Sequence, residues 1–208
     1  MEIIFFITIL IFSIIIHEVA HGAVANYLGD PTAKYEGRLT LNPINHLDPI
    51  GSILLPLLLL FTQSPLLIAW AKPVPVNPFN LQNPKKDMAK IAFAGPAVNL
   101  LIALFFSLLI RFFVLSENLL SIFTFIVFIN ILLAIFNLMP IPPLDGSKIL
   151  FSFLPPSLEY IQVWMEQFSL FLLFGFLFLL MAGVFPLIQI VFLIFNLFIG
   201  SETIQTLL

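Results

Sequence analysis

Long apolar runs separated by short polar breaks dominate this chain, and they predict a set of membrane helices. The first run predicts a helix from about Ile3 to Leu28, ended by Gly29-Asp30-Pro31. Further runs predict helices over about 89–115 and 119–138, and the prolines at 140–143 must break the second of these. Helical pattern then resumes to about Phe153.

Residues 50–71 are apolar but contain Pro56, Pro65 and a turn signal at 62–65. As a helix, their first half would be about 18 Å long, too short to cross a hydrocarbon core of roughly 30 Å. This predicts a re-entrant segment that enters the membrane and returns.

Two polar stretches flank that segment. Weak alternation at about 35–41 predicts a short strand or hairpin. Alternate prolines at 73, 75 and 78 exclude a helix over 70–78 and predict an extended backbone there.

The last 55 positions are predicted to add helices without any recognisable motif. Residues 155–168 are amphipathic and include Tyr160 and Trp164, which is typical of a membrane surface. Residues 169–199 are interrupted at Gly183 and Pro186, so two short helices are favoured over one long span. The sequence therefore predicts an all-α polytopic membrane protein of about five to six transmembrane helices. It predicts one domain over 1–208, with a core at about 3–154 and C-terminal helices at about 155–208.

Composition agrees with a lipid bilayer as the surroundings. Hydrophobic residues make up 61% of the chain and charged residues only 9%, far below the quarter that is usual in soluble domains. A net charge of −3 gives no sign of nucleic-acid binding. The sequence has no cysteine, which excludes disulfides and thiolate metal sites and leaves histidines and carboxylates as the strong metal ligands.

Within the first apolar run lies a cluster of ionisable residues. His17 and His21 stand one helical turn apart, so their rings can converge on one ion, and Glu18 follows the first histidine. This is the HExxH arrangement of zinc hydrolases. Two packed core histidines are a weaker interpretation, because ionisable groups in lipid need partners. A signal peptide cleaved near 23–25 is opposed by the absence of a basic start and by the polar cluster itself.

Two histidines do not complete a catalytic zinc site, which normally takes three protein ligands. The next acids, Asp30, Glu36 and Asp48, all fall in loop-like sequence. Asp145 is the remaining intramembrane candidate, in a proline-rich break of the kind tolerated where it lines a cavity. A plain helix N-cap is the alternative role for this carboxylate, and capping is compatible with ligation.

Residues 136–146 (FNLMPIPPLDG) resemble the second signature of the site-2 protease family of intramembrane zinc metalloproteases. Residues 94–99 (AGPAVN) resemble an intermediate element of the family, and 41–51 and 70–77 resemble segments of its small bacterial members. The matches run in family order from about residue 14 to 150, with nothing that resembles a PDZ or CBS domain.

The resemblance implies one zinc ion per chain, held by His17, His21 and Asp145, with Glu18 as the general base. It also implies that Asn137 holds substrate or the oxyanion, although capping of the broken helix is an equal alternative. The implied activity is peptide-bond hydrolysis in or near a transmembrane helix of a membrane-protein substrate. His46 is expected to be a structural or gating residue, and Asn99 to serve close helix packing.

Topology follows if His21 and Asp145 meet at one depth. The helices at 89–115 and 119–138 must then run out and back from the zinc-proximal side. Seven of the eight basic residues fall on that side and only Arg111 falls opposite. The zinc-proximal side is therefore expected to be cytoplasmic, with the N-terminus outside the cell membrane. The basic residues on the zinc-proximal side are Lys34, Arg38, Lys72, Lys85, Lys86, Lys90 and Lys148.

A transmembrane substrate must be unwound locally before water can attack its backbone. Either 70–77 or the strand near 35–41 could pair with it by β-augmentation, with 35–41 slightly preferred because prolines remove donors from 70–77. The alternative function is a non-proteolytic metal carrier or a scaffold with a relic zinc site. Nothing in the sequence sets the substrate, the cleavage position, the oligomeric state or the gating.

Overall fold

The computed structural model describes residues 2–54, 57–58, 61–62 and 71–200. Within these residues the chain is mostly helical, and it divides into two compact units, Met1–Gln82 and Asn83–Leu208. The single domain predicted over 1–208 stays a prediction.

Helix α1 (Glu2–Tyr27) dominates the first unit and follows the predicted bounds to within a residue. It ends where Gly29 adopts a left-handed φ of 108°, a conformation that costs glycine little. The N–H of Asp30 then donates to the carbonyl of Ala25 at 2.9 Å, which is the hydrogen bond of a Schellman motif at a helix C-terminus. The chain therefore leaves α1 in a fixed direction.

The predicted strand near 35–41 is not found. Tyr35 instead completes a short helix, α2 (Thr32–Tyr35), and Gly37 turns the chain with a φ of 66°. The N–H of Arg38 bonds back to Ala33, so this backbone closes on itself rather than presenting an edge. No strand occurs elsewhere in the described part of the chain.

The rest of the first unit consists of short turns and an irregular stretch. There are 3₁₀ turns at Pro43–His46 and Pro78–Asn80 and a π-helical turn at Pro49–Leu54. Residues 71–77 contain no helix, as their prolines predicted. Most of the re-entrant segment predicted for 50–71, including Pro65 and Trp70, lies outside the described residues.

The second unit is built on α3 (Pro84–Phe112) and α4 (Glu117–Asn137), which are joined by a short connection. Helix α3 begins five residues earlier than predicted, because Pro84 occupies the first turn, where its missing N–H is not needed. A later helix, α8 (Leu187–Ile199), packs against both. The buried core that the three helices share consists of Ala103, Ile110, Val127, Ile131, Val191, Phe195 and Ile199.

Between α4 and α8 the chain forms three further helices. Helix α5 (Asp145–Phe153) follows the proline break, and α6 (Glu159–Gln167) follows a 3₁₀ turn at Pro156–Leu158. Helix α7 (Ser169–Met181) is bent by 73° from α6 and its preceding turn. The two short helices predicted over 169–199 are confirmed as α7 and α8.

Three helices in the described residues are long and apolar enough to cross a membrane, namely Phe5–Tyr27, Pro84–Phe112 and Glu117–Asn137. A fourth is reached if the bent pair α6–α7 forms one span. This is fewer than the five or six predicted. Large apolar side chains such as Leu101 and Phe105 are exposed on α3, as a lipid-facing surface requires. The chain is a mostly helical membrane protein.

Candidate metal centre

Helix α1 turns one face inward, and that face carries the predicted histidines. The side chains of Ser13, His17, His21 and Ala25 recur every four residues and are all buried. The rings of His17 and His21 lie with their centroids 4.7 Å apart and nearly perpendicular. The HExxH spacing therefore brings the two imidazoles together, as predicted from the sequence.

Glu18 completes a group of three possible metal ligands. One ligand atom each from His17, Glu18 and His21 lies within 4.8 Å of the others. Both histidines are buried, and Glu18 is half-buried. Zinc is commonly bound by imidazole nitrogens and carboxylate oxygens, and no thiolate ligand is available in this cysteine-free chain. The donor set therefore fits a zinc ion.

Residues 71–77, which form no helix, lie against α1 beside this group. The N–H of Val74 donates to Glu18 Oε2 at 3.0 Å, across 56 positions of sequence. One turn further along α1, Gly22 leaves room for the same segment, since a Cβ there would lie 2.9 Å from Val74 Cγ1 and 2.7 Å from Leu39 Cδ2. The missing side chain at Gly22 thus lets the 71–77 segment approach the candidate base.

Two buried charged side chains hold the ends of the 71–77 segment. Arg38 donates to the carbonyls of Lys72 at 2.6 Å and Pro73 at 3.2 Å. Asp30 accepts the N–H of Asn77 at 2.7 Å. Burial raises the pKa of the Asp30 carboxyl, but hydrogen bonds from Thr32, Asn80 and Asn77 outweigh it and hold that pKa below its usual value. Asp30 therefore carries its charge at neutral pH.

Asp145 is the first residue of α5, in the second unit, and is 7% exposed. Lys148 Nζ lies 3.4 Å from its Oδ1, one turn along the helix. The next residue, Gly146, touches the end of α4 so closely that a Cβ would lie 2.2 Å from the Leu138 carbonyl oxygen. The position of Asp145 thus depends on backbone contact between α4 and α5. That this carboxylate shares an ion with the histidines stays a prediction.

Two other predicted residues make local hydrogen bonds. Asn137, the last residue of α4, donates its side-chain amide to the Leu133 carbonyl at 2.9 Å, one turn back. This bond lies within α4, so both the capping role and the proposed contact with substrate stay predictions. His46 is buried, and its Nε2 lies 2.8 Å from the Thr40 carbonyl oxygen, as expected of a structural residue.

Sequence reasoning missed the roles of Asp30, Arg38, Gly22 and Gly146. Each glycine directly follows a predicted ligand, and that adjacency was the available signal. The two charged residues carried no such signal, because their contacts with residues 71–77 span 34 to 47 positions. Their burial became visible only in the folded chain.

Comparisons with known proteins give the family of this chain. A family model described as Peptidase family M50 matches residues 112–182, which include Asn137 and Asp145. "Putative zinc metalloprotease YwhC" of Bacillus subtilis is 38% identical over 186 residues, covering 84% of this chain and 80% of the relative.

Two further relatives carry the same designation. Rip2 of Mycobacterium tuberculosis is 31% identical over 168 residues, covering 79% of this chain and 63% of the relative. MJ0611 of Methanocaldococcus jannaschii is 43% identical over 65 residues, covering 31% of this chain and 34% of the relative. No solved structure matches significantly.

A membrane-capable helix that carries two buried histidines and a half-buried glutamate in HExxH order defines the class, a candidate zinc metallopeptidase. The similarity to YwhC covers most of both proteins, so this chain belongs to peptidase family M50, the site-2 protease family of metalloproteases.

Proposed function

We propose that this protein is an intramembrane zinc endopeptidase that hydrolyses peptide bonds in or near transmembrane segments of other membrane proteins. The observation that carries the proposal is the group of buried His17, half-buried Glu18 and buried His21 on a membrane-capable helix. Family membership and the name shared by the relatives support peptidase activity and zinc as the metal.

His17, His21 and Asp145 are the proposed ligands of one zinc ion per chain. Zinc bound there would lower the pKa of a coordinated water toward about 7 and polarise the scissile carbonyl. Burial of all three side chains supports this assignment, since buried ionisable groups in a membrane need partners. Three protein ligands would also leave the fourth position of a tetrahedral site open, as catalysis requires.

Glu18 is the proposed general base. Its Oε2 accepts the Val74 N–H, which orients the carboxylate and leaves Oε1 to take a proton from the attacking water. The same oxygen then returns the proton to the leaving amine. Asn137 is proposed to steady the developing oxyanion with the second N–H of its amide.

Residues 71–77 are the proposed docking edge for the unwound substrate. The sequence slightly favoured 35–41, but no strand forms there. Among the described residues, the N–H and C=O of Val76 and the C=O of Val74 have no hydrogen-bond partner. An extended backbone, which Pro75 favours at residue 74, points the backbone groups of alternate residues to the same side, and we propose that these groups share the edge that faces Glu18. A substrate strand could pair there by β-augmentation.

The proposed orientation puts the zinc side toward the cytoplasm and the N-terminus outside the cell membrane. Six lysines on that side and the positive-inside tendency support it. Because the chain has no cysteine, Lys86→Cys and Val114→Cys can each be labelled as a single thiol. An impermeant reagent should label the first only from the cytoplasmic side and the second only from outside. The reverse pattern would overturn the orientation.

The activity is tested with purified protein in lipid nanodiscs and single-span membrane substrates. About one zinc per chain and substrate cleavage are expected, and both should fall in His21→Ala and Asp145→Asn. Asp87→Asn is the matched control, since Asp87 is also a buried carboxylate, held by Lys90 and Asn83. Zinc flux across vesicles without any cleavage would instead favour the metal carrier.

A further inference from the structure

Arg38 is a buried cation with an unusual set of partners. It is 5% exposed, and its guanidinium donates to the backbone carbonyls of Asn45, Lys72 and Pro73. Among the described residues it has no carboxylate partner, and its Nε–H makes no hydrogen bond. Burying a guanidinium without a counter-ion is costly, so stability alone does not account for this residue.

Asp30 is its counterpart of opposite charge at the other end of the same segment. It is fully buried and accepts the Asn77 N–H at 2.7 Å and the Asn80 side-chain amide at 2.8 Å. The cation therefore holds carbonyl oxygens at residues 72–73, and the anion holds an N–H at residue 77. The guanidinium thus contacts backbone oxygens, which carry partial negative charge, and the carboxylate contacts an N–H, which carries partial positive charge.

The sequence of the segment explains why side chains must do this. Pro73 and Pro75 lack an N–H, so the segment cannot be fixed by a regular ladder of backbone hydrogen bonds. Between the two charged contacts lie Val74, whose N–H meets Glu18, and Val76. Among the described residues, neither Arg38 nor Asp30 hydrogen-bonds to Glu18 or to a histidine. Their action on the site therefore passes through the 71–77 backbone.

We propose that Arg38 and Asp30 are positioning residues that hold residues 71–77 in place for substrate to pair with the edge at Val74 and Val76. The inference rests on the proposed peptidase function and assigns the two charges to substrate binding rather than to chemistry. Because a substrate strand makes these backbone contacts both before and during the reaction, loosening the edge raises KM more than it lowers kcat.

The test uses the full zinc-loaded chain in nanodiscs with a single-span substrate. Arg38→Gln and Asp30→Asn are each expected to raise KM about five- to tenfold, the equivalent of one lost hydrogen bond, with kcat within about threefold and zinc content unchanged. Arg38→Lys keeps the charge but not the two-pronged donor geometry, so its KM should be intermediate. Arg111→Lys is the matched control, because Arg111 also donates to a backbone carbonyl, that of Leu197, in the second unit.

Amide hydrogen exchange of residues 71–77 gives a second measurement that needs no turnover. The Val74 N–H should exchange at least tenfold faster in Arg38→Lys and Asp30→Asn than in the unmodified chain. If Arg38→Gln does not fold, Arg38→Lys still tests the role of Arg38. Unchanged KM and unchanged exchange in folded, zinc-loaded variants would overturn the inference. A parallel fall in kcat and zinc content with unchanged KM would also overturn it, since that result marks a general structural role. An unmodified chain that cleaves nothing would refute the proposed function, whereas exchange would still report on the two contacts.

Discussion

Replacing Gly146 by alanine should disable the proposed site by moving Asp145. A Cβ at Gly146 would lie 2.2 Å and 2.4 Å from the Leu138 carbonyl oxygen and carbon and 2.5 Å from the Met139 oxygen. All three are backbone atoms, so no side-chain rotation relieves the clash. The start of α5 must therefore move away from the end of α4.

The magnitude follows from the distances. Ordinary contact of a Cβ begins at 3.4 Å, so the two backbones must separate by about 1 Å. Metal–ligand distances tolerate only about 0.2 Å, and a misplacement of about 1 Å can cost about 100-fold in rate. We expect Gly146→Ala to lower kcat/KM by about 100-fold, equivalent to about 2.7 kcal/mol of transition-state stabilisation, and to weaken zinc binding.

The assay is cleavage of a single-span substrate in nanodiscs, with zinc measured on the same samples. Gly175→Ala is the control, because Gly175 is also helical and its Cβ would meet nothing within 4 Å. Adding Leu138→Ala should not restore activity, since the contacts are with backbone. Wild-type cleavage and zinc content in Gly146→Ala would refute the dependence of Asp145 on this close approach.

Two further predictions concern the first unit. Gly22→Ala should lower cleavage by about tenfold, because its Cβ would lie 2.9 Å from Val74 Cγ1 and 2.7 Å from Leu39 Cδ2. Since these clashes are with side chains, adding Leu39→Ala should restore part of the activity. Unchanged cleavage in Gly22→Ala would contradict this prediction. Asp30 has a lowered pKa in the folded chain, so its stabilising contribution is present above its ordinary value of 3.8 and is lost as pH falls through the lower folded value. Thermal unfolding of the zinc-free chain should therefore lose stability more steeply below about pH 4 than that of Asp30→Asn, and parallel pH profiles would count against the assignment.

Sequence patterns predicted the helices well where an apolar run was long and uninterrupted. Helices α1 and α4 begin and end within about two residues of expectation, because Gly29 and the prolines after Asn137 stop them unambiguously. The predicted start of α3 is five residues late, because Pro84 is suited to a first helical turn and the helix includes Lys85 and Lys86.

The strand near 35–41 was predicted from weak alternation, which local contacts override. Gly37 takes a left-handed turn there, and Arg38 turns its side chain inward to carbonyls 34 and 35 positions away. Prolines did predict the absence of a helix at 71–77, because they restrict the backbone of their own and the preceding residue. What holds that segment could not be predicted, since no local pattern records contacts at such separation.

For the candidate site, the pair at His17 and His21 could be predicted because helical periodicity fixes their geometry. The hydrogen bond from Val74 to Glu18 could not, since it depends on how two distant segments pack. Asp145 was predicted from its place in a proline-rich break and from the family resemblance. That it shares a metal ion with the histidines stays a prediction.

The central claim is that Glu18 moves protons at a zinc ion held by other residues, and Glu18→Gln tests it most directly. Cleavage of a single-span substrate and zinc content are measured together, with Glu36→Gln, an exposed acid of the same unit, as the control. We expect about one zinc per chain in both variants, unchanged cleavage in the control, and a loss of about 100- to 10,000-fold in Glu18→Gln. Cleavage within tenfold of wild type by zinc-loaded Glu18→Gln would contradict it.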